Sequence, residues 1–196
     1  MEDIIFKRRS IRLFKKQEIP EEILRKILLA GMWAPSPKNR QPWKMIAALG
    51  KSKEIMLSLM KEGIDRSERG EGIITGSKEY IANARYTMKC MAVAPVTVFI
   101  THPEGKSLRE DWSAAEKIHE LSDVQAIGAA AENMALMAAE MGIGSLWNGN
   151  IFFAHDELKN WLDAGEMVLA MSFGYPAHHP SPLNRKKEED VIEIRR

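Results

Sequence analysis

Three arginines and a hydroxyl group lie within five residues near the N-terminus, in the run Arg8-Arg9-Ser10-Ile11-Arg12. Guanidinium groups present paired N–H donors that match phosphate oxygens, so this run is a candidate phosphate-binding segment. Composition alone equally allows a solvated basic surface. Residues 1–53 hold 13 Lys and Arg against 5 Asp and Glu, whereas the whole chain has a net charge of +1. This balance favours a small anion over a nucleic acid as the partner of the basic segment.

A second polar group lies between prolines in the segment 34–42. Ser36, Asn39 and Gln41 can each donate and accept hydrogen bonds, and the flanking prolines restrict the backbone that carries them. Such a loop suits recognition of a heterocycle edge, for example the pyrimidine of a flavin. A purely structural turn is the alternative interpretation.

The glycine-rich segment that begins at Gly142 does not fit a dinucleotide-binding fingerprint. Trp147 occupies the position of the third glycine, and the segment follows a predicted helix rather than a strand. Trp147, Asn148 and Gly149 instead place an aromatic plane beside a glycine, where backbone amides can approach a ligand closely.

Other catalytic chemistries lack their residues in this sequence. The five histidines do not form a chelating pattern, and neither a Gly-x-Ser-x-Gly nor a His-Glu-x-x-His motif is present. Cys90 is the single cysteine, so an intramolecular disulfide is excluded, and we interpret it as a small buried hydrophobe. We therefore expect no metal site, hydrolytic triad or reactive thiol.

The elements that must position these groups follow from periodicity and from helix start and stop signals. We expect helices over 2–9, 18–31, 51–61, 78–92, 123–141 and 154–162. We expect strands over 43–49, 95–100, 167–174 and 190–194, and a short strand or turn over 144–150. The segment 62–77 is rich in glycine and charge, which predicts a mobile surface segment. Together these elements predict an α+β fold, a sandwich in which helices cover a central sheet, in a single domain over 1–196.

The two ends of the chain carry predictions about subunit pairing and about the cellular compartment. We expect residues 175–196 to form an extended C-terminal arm whose strand at 190–194 pairs outside its own sheet, with a second subunit as the candidate partner. The acidic start, Met1-Glu2-Asp3, does not resemble a signal segment, and no run approaches the roughly 18 apolar residues of a membrane span. We expect a cytoplasmic protein with no membrane partner.

Two motifs, taken together, resemble the N-terminal signature of the FMN-dependent nitroreductase family. They are Arg8-Arg9-Ser10-Ile11-Arg12-x-Phe14 and Ala34-Pro35-Ser36-x-x-Asn39-x-Gln41-Pro42-Trp43. Further along, Gly142-Ile143-Gly144-Ser145-x-Trp147 and Gly174-Tyr175-Pro176, followed by Arg185, are similar to later landmarks of the family. The resemblance implies a mostly antiparallel central sheet flanked by helices and a C-terminal strand exchanged between the subunits of a homodimer.

The same resemblance implies a set of FMN-binding residues. Arg8 and Arg185, with Arg9 in the same basic run, resemble the arginines at the phosphate, while Ser10 and Arg12 resemble contacts to the ribityl chain and the pyrimidine. Pro35, Ser36, Asn39 and Gln41 resemble a loop that reaches FMN from the other subunit. Trp147, Asn148 and Gly149 match the segment near flavin N5, and Lys89 is similar to a further residue near the ring.

The implied activity is electron transfer from NADH or NADPH to a small organic acceptor, such as a nitroaromatic or a quinone, by a ping-pong mechanism. In such an enzyme the flavin carries the chemistry and no side chain need act as a nucleophile. Three alternatives stay open from the sequence: another flavin chemistry on the same fold (enone reduction, dehalogenation or heterocycle oxidation), a non-catalytic FMN-binding protein, and a basic module that binds nucleic acid.

Overall fold

The computed structural model describes residues 2–74, 78–107 and 109–196. Within them, four strands form one antiparallel sheet in the order β1-β2-β4-β3. The strands are β1 (Lys44–Ala48), β2 (Val96–His102), β3 (Gly144–Asn148) and β4 (Glu166–Gly174). All seven residues of β2 are buried, because this strand lies inside the sheet and is covered on both faces. Its near-continuous apolar run is the sequence signature of that position.

Helices cover both faces of the sheet and bury two hydrophobic clusters. The helices are α1 (Glu2–Lys7), α2 (Glu21–Met32), α3 (Gly50–Glu68), α4 (Lys78–Val93), α5 (Ala114–Glu140) and α6 (His155–Leu162). Val98 and Met171 pack with α2 and α5 on one face, whereas Phe99 and Ala170 pack with α3, α4 and α6 on the other. The predicted α+β sandwich with a mostly antiparallel sheet is therefore confirmed.

Helix α5 is the central helix, and it begins earlier than the sequence pattern predicts. Its small residues, such as Ala131 and Ala135, are fully buried against α2 and the sheet. The expected start at residue 123 is wrong because the helix begins at Ala114, after the capping residue Ser113. Glu116 and Ser113 form a reciprocal capping box. Local capping, rather than an apolar stripe, therefore defines this end of α5.

The prediction of a mobile segment over 62–77 is wrong for its first part, because α3 continues to Glu68. Gly63 lies where the 3₁₀ turn before α6 passes closely on the same face of the sheet: a Cβ there would come 2.3 Å from the Cα of Ala154. Ile64 and Ser67 are buried beside it. This glycine thus permits close packing within the helix and does not end it. Residues 75–77 lie outside the described part of the chain.

The C-terminal arm contains no strand over 190–194 in the single chain. A short 3₁₀ turn, Glu188–Asp190, precedes an irregular end in which Val191, Ile192 and Ile194 are exposed. The alternating pattern predicts a strand, but a strand needs an edge to pair with, and this segment pairs with none of the described strands. Exchange of the arm between subunits stays a prediction.

None of the helices in the described residues combines the length and the apolar character needed to cross a membrane.

Candidate cofactor-binding site

A cleft of about 430 Å³ lies between α1 and the C-terminal arm. It brings together five of the residues that the sequence singles out: Arg8, Arg9, Ser10, Arg12 and Arg185. Exposed apolar side chains of Phe6 and Leu183 flank them. Because Arg8 and Arg185 lie at opposite ends of the chain, the fold has assembled one cationic cleft from two separate basic segments.

The arginines in this cleft have different partners. Arg9 donates from Nη1 to the carbonyl oxygens of Phe6 at 2.6 Å and Arg8 at 2.8 Å, so it caps the C-terminal end of α1. The Nε of Arg8 lies 3.1 Å from Glu132 on α5. Arg12 is exposed. The three arginines are close together in sequence, but they differ in the structure. Arg9 donates to backbone carbonyl oxygens, whereas Arg12 lines the cleft.

A bridge between chain segments joins the basic run to the edge of the sheet. Ser10 pairs with Ser145 of β3 in a parallel β-bridge, and the amide of Ile11 donates to the carbonyl oxygen of Ser145 at 2.9 Å. Ile11 and Leu146 then pack together in a small buried cluster. Arg12 is thereby held close to β3.

The end of β3 has three features that suit a ligand-binding surface: an exposed aromatic ring, open space at a glycine and, within the described part of the chain, an unpaired hydrogen-bond acceptor. Trp147 is 44% exposed, and Gly149 is exposed with no atom within 4 Å of where a Cβ would be. Asn148 is 1% exposed; its amide donates to the Ser172 hydroxyl at 2.9 Å. The other side-chain atom, Oδ1, has no hydrogen-bond partner among the described residues. Buried polar atoms are normally paired, so this orphaned acceptor and the open face at Gly149 fit a bound polar ring.

The loop over 34–42 adopts an unusual backbone. Lys38, Asn39 and Gln41 have φ values of 51°, 55° and 51°, in the left-handed region that non-glycine residues rarely occupy. The amide of Gln41 donates to Ser36 Oγ at 3.0 Å, which closes the loop on itself. Asn39 and Gln41 are exposed at its tip, and Pro35 is exposed at its start. Strain of this kind is characteristic of functional sites.

This loop does not line the cationic cleft in the described part of the chain. Arg40 of the loop pairs with Asp123 of α5, whereas Arg8 of the cleft pairs with Glu132 of the same helix. Nine positions separate these carboxylates, which corresponds to about 14 Å along the helix axis. Within one chain, the loop and the cationic cleft therefore form two separate polar surfaces.

Lys89 is exposed on α4 and is not part of the cleft lining. Its neighbour Cys90 is buried, as predicted, beside Ile11 and Leu146. Burial raises the pKa of the Cys90 thiol, and Tyr86 and the charge of Arg12 act in the opposite direction. The face of α4 that carries Cys90 therefore packs against the segment that carries Arg12, while the role of Lys89 stays a prediction.

Sequence reasoning missed one polar cluster beside the loop, formed by Arg40, His102, Glu120 and Asp123. The last two residues lie on α5, and His102 ends β2. Asp123 and His102 are buried. The position of Asp123 within a helix rich in small apolar residues was a signal in the sequence. A carboxylate that is buried in such a helix requires a partner. Across the described residues, no cluster of three or more His, Cys, Asp or Glu could hold a metal ion.

The layered fold and the cleft define an α+β protein with a cationic cleft joined to the edge of its sheet. Residues 5–175 match the sequence profile of the nitroreductase family. The chain therefore belongs to the nitroreductase family.

Relatives of the chain extend over nearly its whole length. A candidate NADH dehydrogenase/NAD(P)H nitroreductase of Archaeoglobus fulgidus is 29% identical, and the alignment covers 97% of this chain and 88% of that protein. The crystal structure of a BluB-like flavoprotein from Clostridium difficile 630 is 25% identical, with a TM-score of 0.75 and coverage of 100% and 98%. The FMN-dependent nitroreductase NfnB of Mycobacterium smegmatis, solved in complex with NADPH, is 18% identical, with a TM-score of 0.73 and coverage of 100% and 97%; it supports the fold alone.

Proposed function

We propose that this protein is an FMN-dependent oxidoreductase that passes electrons from NADH or NADPH to a small organic acceptor such as a nitroaromatic or a quinone. The observation that carries the proposal is the cleft that gathers Arg8, Ser10, Arg12 and Arg185, which a bridge from Ser10 joins to β3, the strand that precedes the open turn at Gly149. Family membership, the nicotinamide named for the Archaeoglobus relative and the flavin named for the BluB-like protein support the same activity.

Arg8 and Arg185 bind the phosphate of FMN in this proposal. Their guanidinium groups supply cationic N–H donors from two chain segments, which matches the several oxygens of a phosphate. Arg9 contributes charge and holds the end of α1, because its donors already bind backbone carbonyls. The Ser10 hydroxyl, fixed by its bridge to Ser145, faces the ribityl chain.

Arg12 lies on the ring side of the cleft, next to β3 and α4. FMN, when bound, accepts hydride from the nicotinamide and passes electrons to the acceptor. A guanidinium close to the pyrimidine favours the state in which that part of the ring carries negative charge. Arg12 thus stabilises the reduced cofactor as well as binding it.

The turn after β3 orients the ring. Gly149 leaves room for a ligand to approach the backbone, and its amide is available as a donor in an exposed position. Asn148 holds this turn through its bond to Ser172, and its free Oδ1 accepts a hydrogen bond from the bound group or from a water that accompanies it. Trp147 supplies an aromatic wall at the same edge.

The complete site is shared between two chains of a homodimer. Pro35, Ser36, Asn39 and Gln41 lie away from the cleft of their own chain, so we assign them to the cleft of the partner subunit. Exposed apolar residues of α2 and its C-terminal end, namely Leu29, Met32 and Trp33, lie beside this loop and suit a dimer contact. Lys89 contributes from α4 at the rim of the site.

An absorbance spectrum of the purified protein tests cofactor binding directly. We expect the bands of oxidised flavin, their bleaching by NADH or NADPH without oxygen, and their return when an acceptor is added. A colourless protein that cannot be reconstituted with FMN would contradict the proposal. A yellow protein that neither NADH nor NADPH reduces would support a non-catalytic FMN-binding protein instead.

A panel of acceptors tests the reaction class. Donor and acceptor use the same cleft in turn, so double-reciprocal plots at several acceptor concentrations should be parallel, as for a ping-pong mechanism. A fold shared within a family does not by itself define the reaction. Nitroaromatics, quinones and enones should therefore be compared under the same conditions. Turnover of enones alone would favour the second candidate, another flavin chemistry on this fold.

A further inference from the structure

The strained loop is attached to the body of the protein by an ion pair that the sequence did not reveal. Arg40 donates to Oδ1 of Asp123 from two nitrogens, at 3.1 Å from Nε and 2.7 Å from Nη2. Asp123 is 6% exposed and lies on α5, the most extensive element of the fold. Arg40 itself lies between Asn39 and Gln41, so the pair acts at the centre of the loop tip.

A second buried residue lies beside Asp123. Nε2 of His102 is 3.7 Å from Oδ2 of Asp123, the carboxylate oxygen other than the one that accepts from Arg40. Nδ1 of His102 forms a 3.2 Å hydrogen bond with the carboxylate of Glu120. His102 ends β2, so the sheet fixes the orientation of the carboxylate that holds the loop.

The loop needs such an anchor because its own backbone is unfavourable. Lys38, Asn39 and Gln41 all occupy the left-handed region, and a conformation of this kind persists only where the surroundings enforce it. The Ser36 to Gln41 hydrogen bond acts within the loop and cannot fix it relative to α5. The pair between Arg40 and Asp123 supplies that relative position.

We propose that Asp123, supported by His102, is a positioning residue for cofactor recognition: it binds Arg40 and thereby presents Asn39 and Gln41 in the geometry that FMN requires. The inference rests on the proposed function, because it takes the loop as part of an FMN site. Asp123 does not touch the cofactor and acts through the loop alone.

The affinity of the full-length holoprotein for FMN tests this role. Dilution of the holoprotein releases FMN, and the fluorescence of the free flavin measures the dissociation constant. We expect Asp123→Asn and Arg40→Met each to weaken FMN binding about tenfold, because a hydrogen bond to a charged group contributes about that factor. Arg40→Lys keeps the charge but loses the two-nitrogen contact, so it should also weaken binding.

The double variant Arg40→Met/Asp123→Leu keeps the test valid if a single variant folds poorly. It removes both charges, so no unpaired buried charge remains. Because the loop loses the same anchor, we expect FMN to bind about as weakly as in the single variants.

Arg69→Met is the matched control: Arg69 also donates from Nε and Nη2 to one carboxylate oxygen, that of Glu71, but on an exposed surface. Its FMN affinity should equal that of the wild type.

The outcomes separate the inference from the proposed function. A wild-type protein that does not bind FMN would contradict the proposed function itself. Two results would overturn the positioning role: wild-type FMN affinity in the double variant, or wild-type FMN affinity in Arg40→Lys. Either result would mean that an unpaired buried charge, and not the lost contact between Arg40 and Asp123, weakens FMN binding in the single variants. An equal loss in Arg69→Met would do the same.

Discussion

Ser10 and Ser145 form a parallel β-bridge that attaches the basic N-terminal run to the edge strand of the sheet. The amide of Ile11 donates to the Ser145 carbonyl oxygen. Arg12 lies two positions after Ser10, and Trp147 lies two positions after Ser145. This bridge therefore positions the basic run relative to β3 and the turn that follows it at Gly149. A cofactor that spans both regions binds a preformed surface, which lowers the entropic cost of binding.

Replacing Arg8 should weaken FMN binding far more than replacing Arg9. Arg8 faces the cleft, and loss of charge-assisted hydrogen bonds to phosphate is expected to lower the affinity by about 10- to 100-fold. Arg9 is the matched control, because it lies in the same cleft but donates to the carbonyls of Phe6 and Arg8. Release of FMN on dilution of each Ala variant gives the two dissociation constants. Equal losses of FMN affinity in the two variants would show that the net charge of the cleft, and not the direction of each guanidinium group, determines binding.

Replacing Arg12 should change the reduction potential of the bound flavin. Arg12→Ala removes a cation that favours the reduced ring, so we expect the potential to fall by about 30 mV, equivalent to a tenfold change in a two-electron equilibrium. Equilibration with a reference dye under anaerobic conditions measures the shift. Arg8→Ala should leave the potential of the remaining bound flavin nearly unchanged, since its guanidinium faces the phosphate. A larger shift in Arg8→Ala than in Arg12→Ala would reverse our assignment.

The start of α5 should depend on pH. A hydrogen bond from Lys106 is the largest of the interactions that lower the pKa of Glu116, from 4.5 to about 2, and bonds from Ser113 add to it. Because the folded pKa is lower than the ordinary value, this contribution to stability is complete above pH 4.5 and is lost as the pH falls towards 2. Helicity followed by circular dichroism should decrease within this range. In Lys106→Met the decrease should begin at higher pH, and an unchanged profile would contradict the role of Lys106.

The main elements and the cationic cleft could be predicted because their signals are local. Apolar strands, helix caps and clustered arginines each leave a mark within a few residues of sequence. The anchor of the loop could not be predicted, because Arg40 and Asp123 meet across 83 positions and only the fold brings them together. The strand expected at 190–194 has a local pattern, but a strand also needs an edge to pair with, and it pairs with none of the described strands of its own chain; its exchange between subunits stays a prediction.

The dimer that we propose should depend on the apolar surface around Trp33. This side chain is 86% exposed in the single chain, which is unusual for so large a hydrophobe unless another surface covers it. Trp33→Glu should shift the protein from dimer to monomer and weaken FMN binding, because the partner's loop is then lost from the site. Light scattering coupled to size-exclusion chromatography measures the mass. Ile55→Glu, on α3, is the control and should stay dimeric; a dimeric Trp33→Glu variant would remove this surface from the interface.

Filling the space at Gly149 should separate cofactor binding from folding. A Cβ at this position meets no atom within 4 Å, so Gly149→Val should keep a melting temperature close to that of the wild-type apoprotein. The added side chain projects into the space that we assign to the flavin ring, so FMN affinity should fall by at least about tenfold, the loss expected from one ring hydrogen bond and close contact. Gly63→Val is the contrasting variant, because its Cβ would collide with the Ala154 backbone and lower the melting temperature instead. Thermal unfolding of the apoproteins and FMN release from the holoproteins distinguish the two effects. Wild-type FMN affinity in Gly149→Val would place the ring elsewhere, since no bound ring could then lie against this turn.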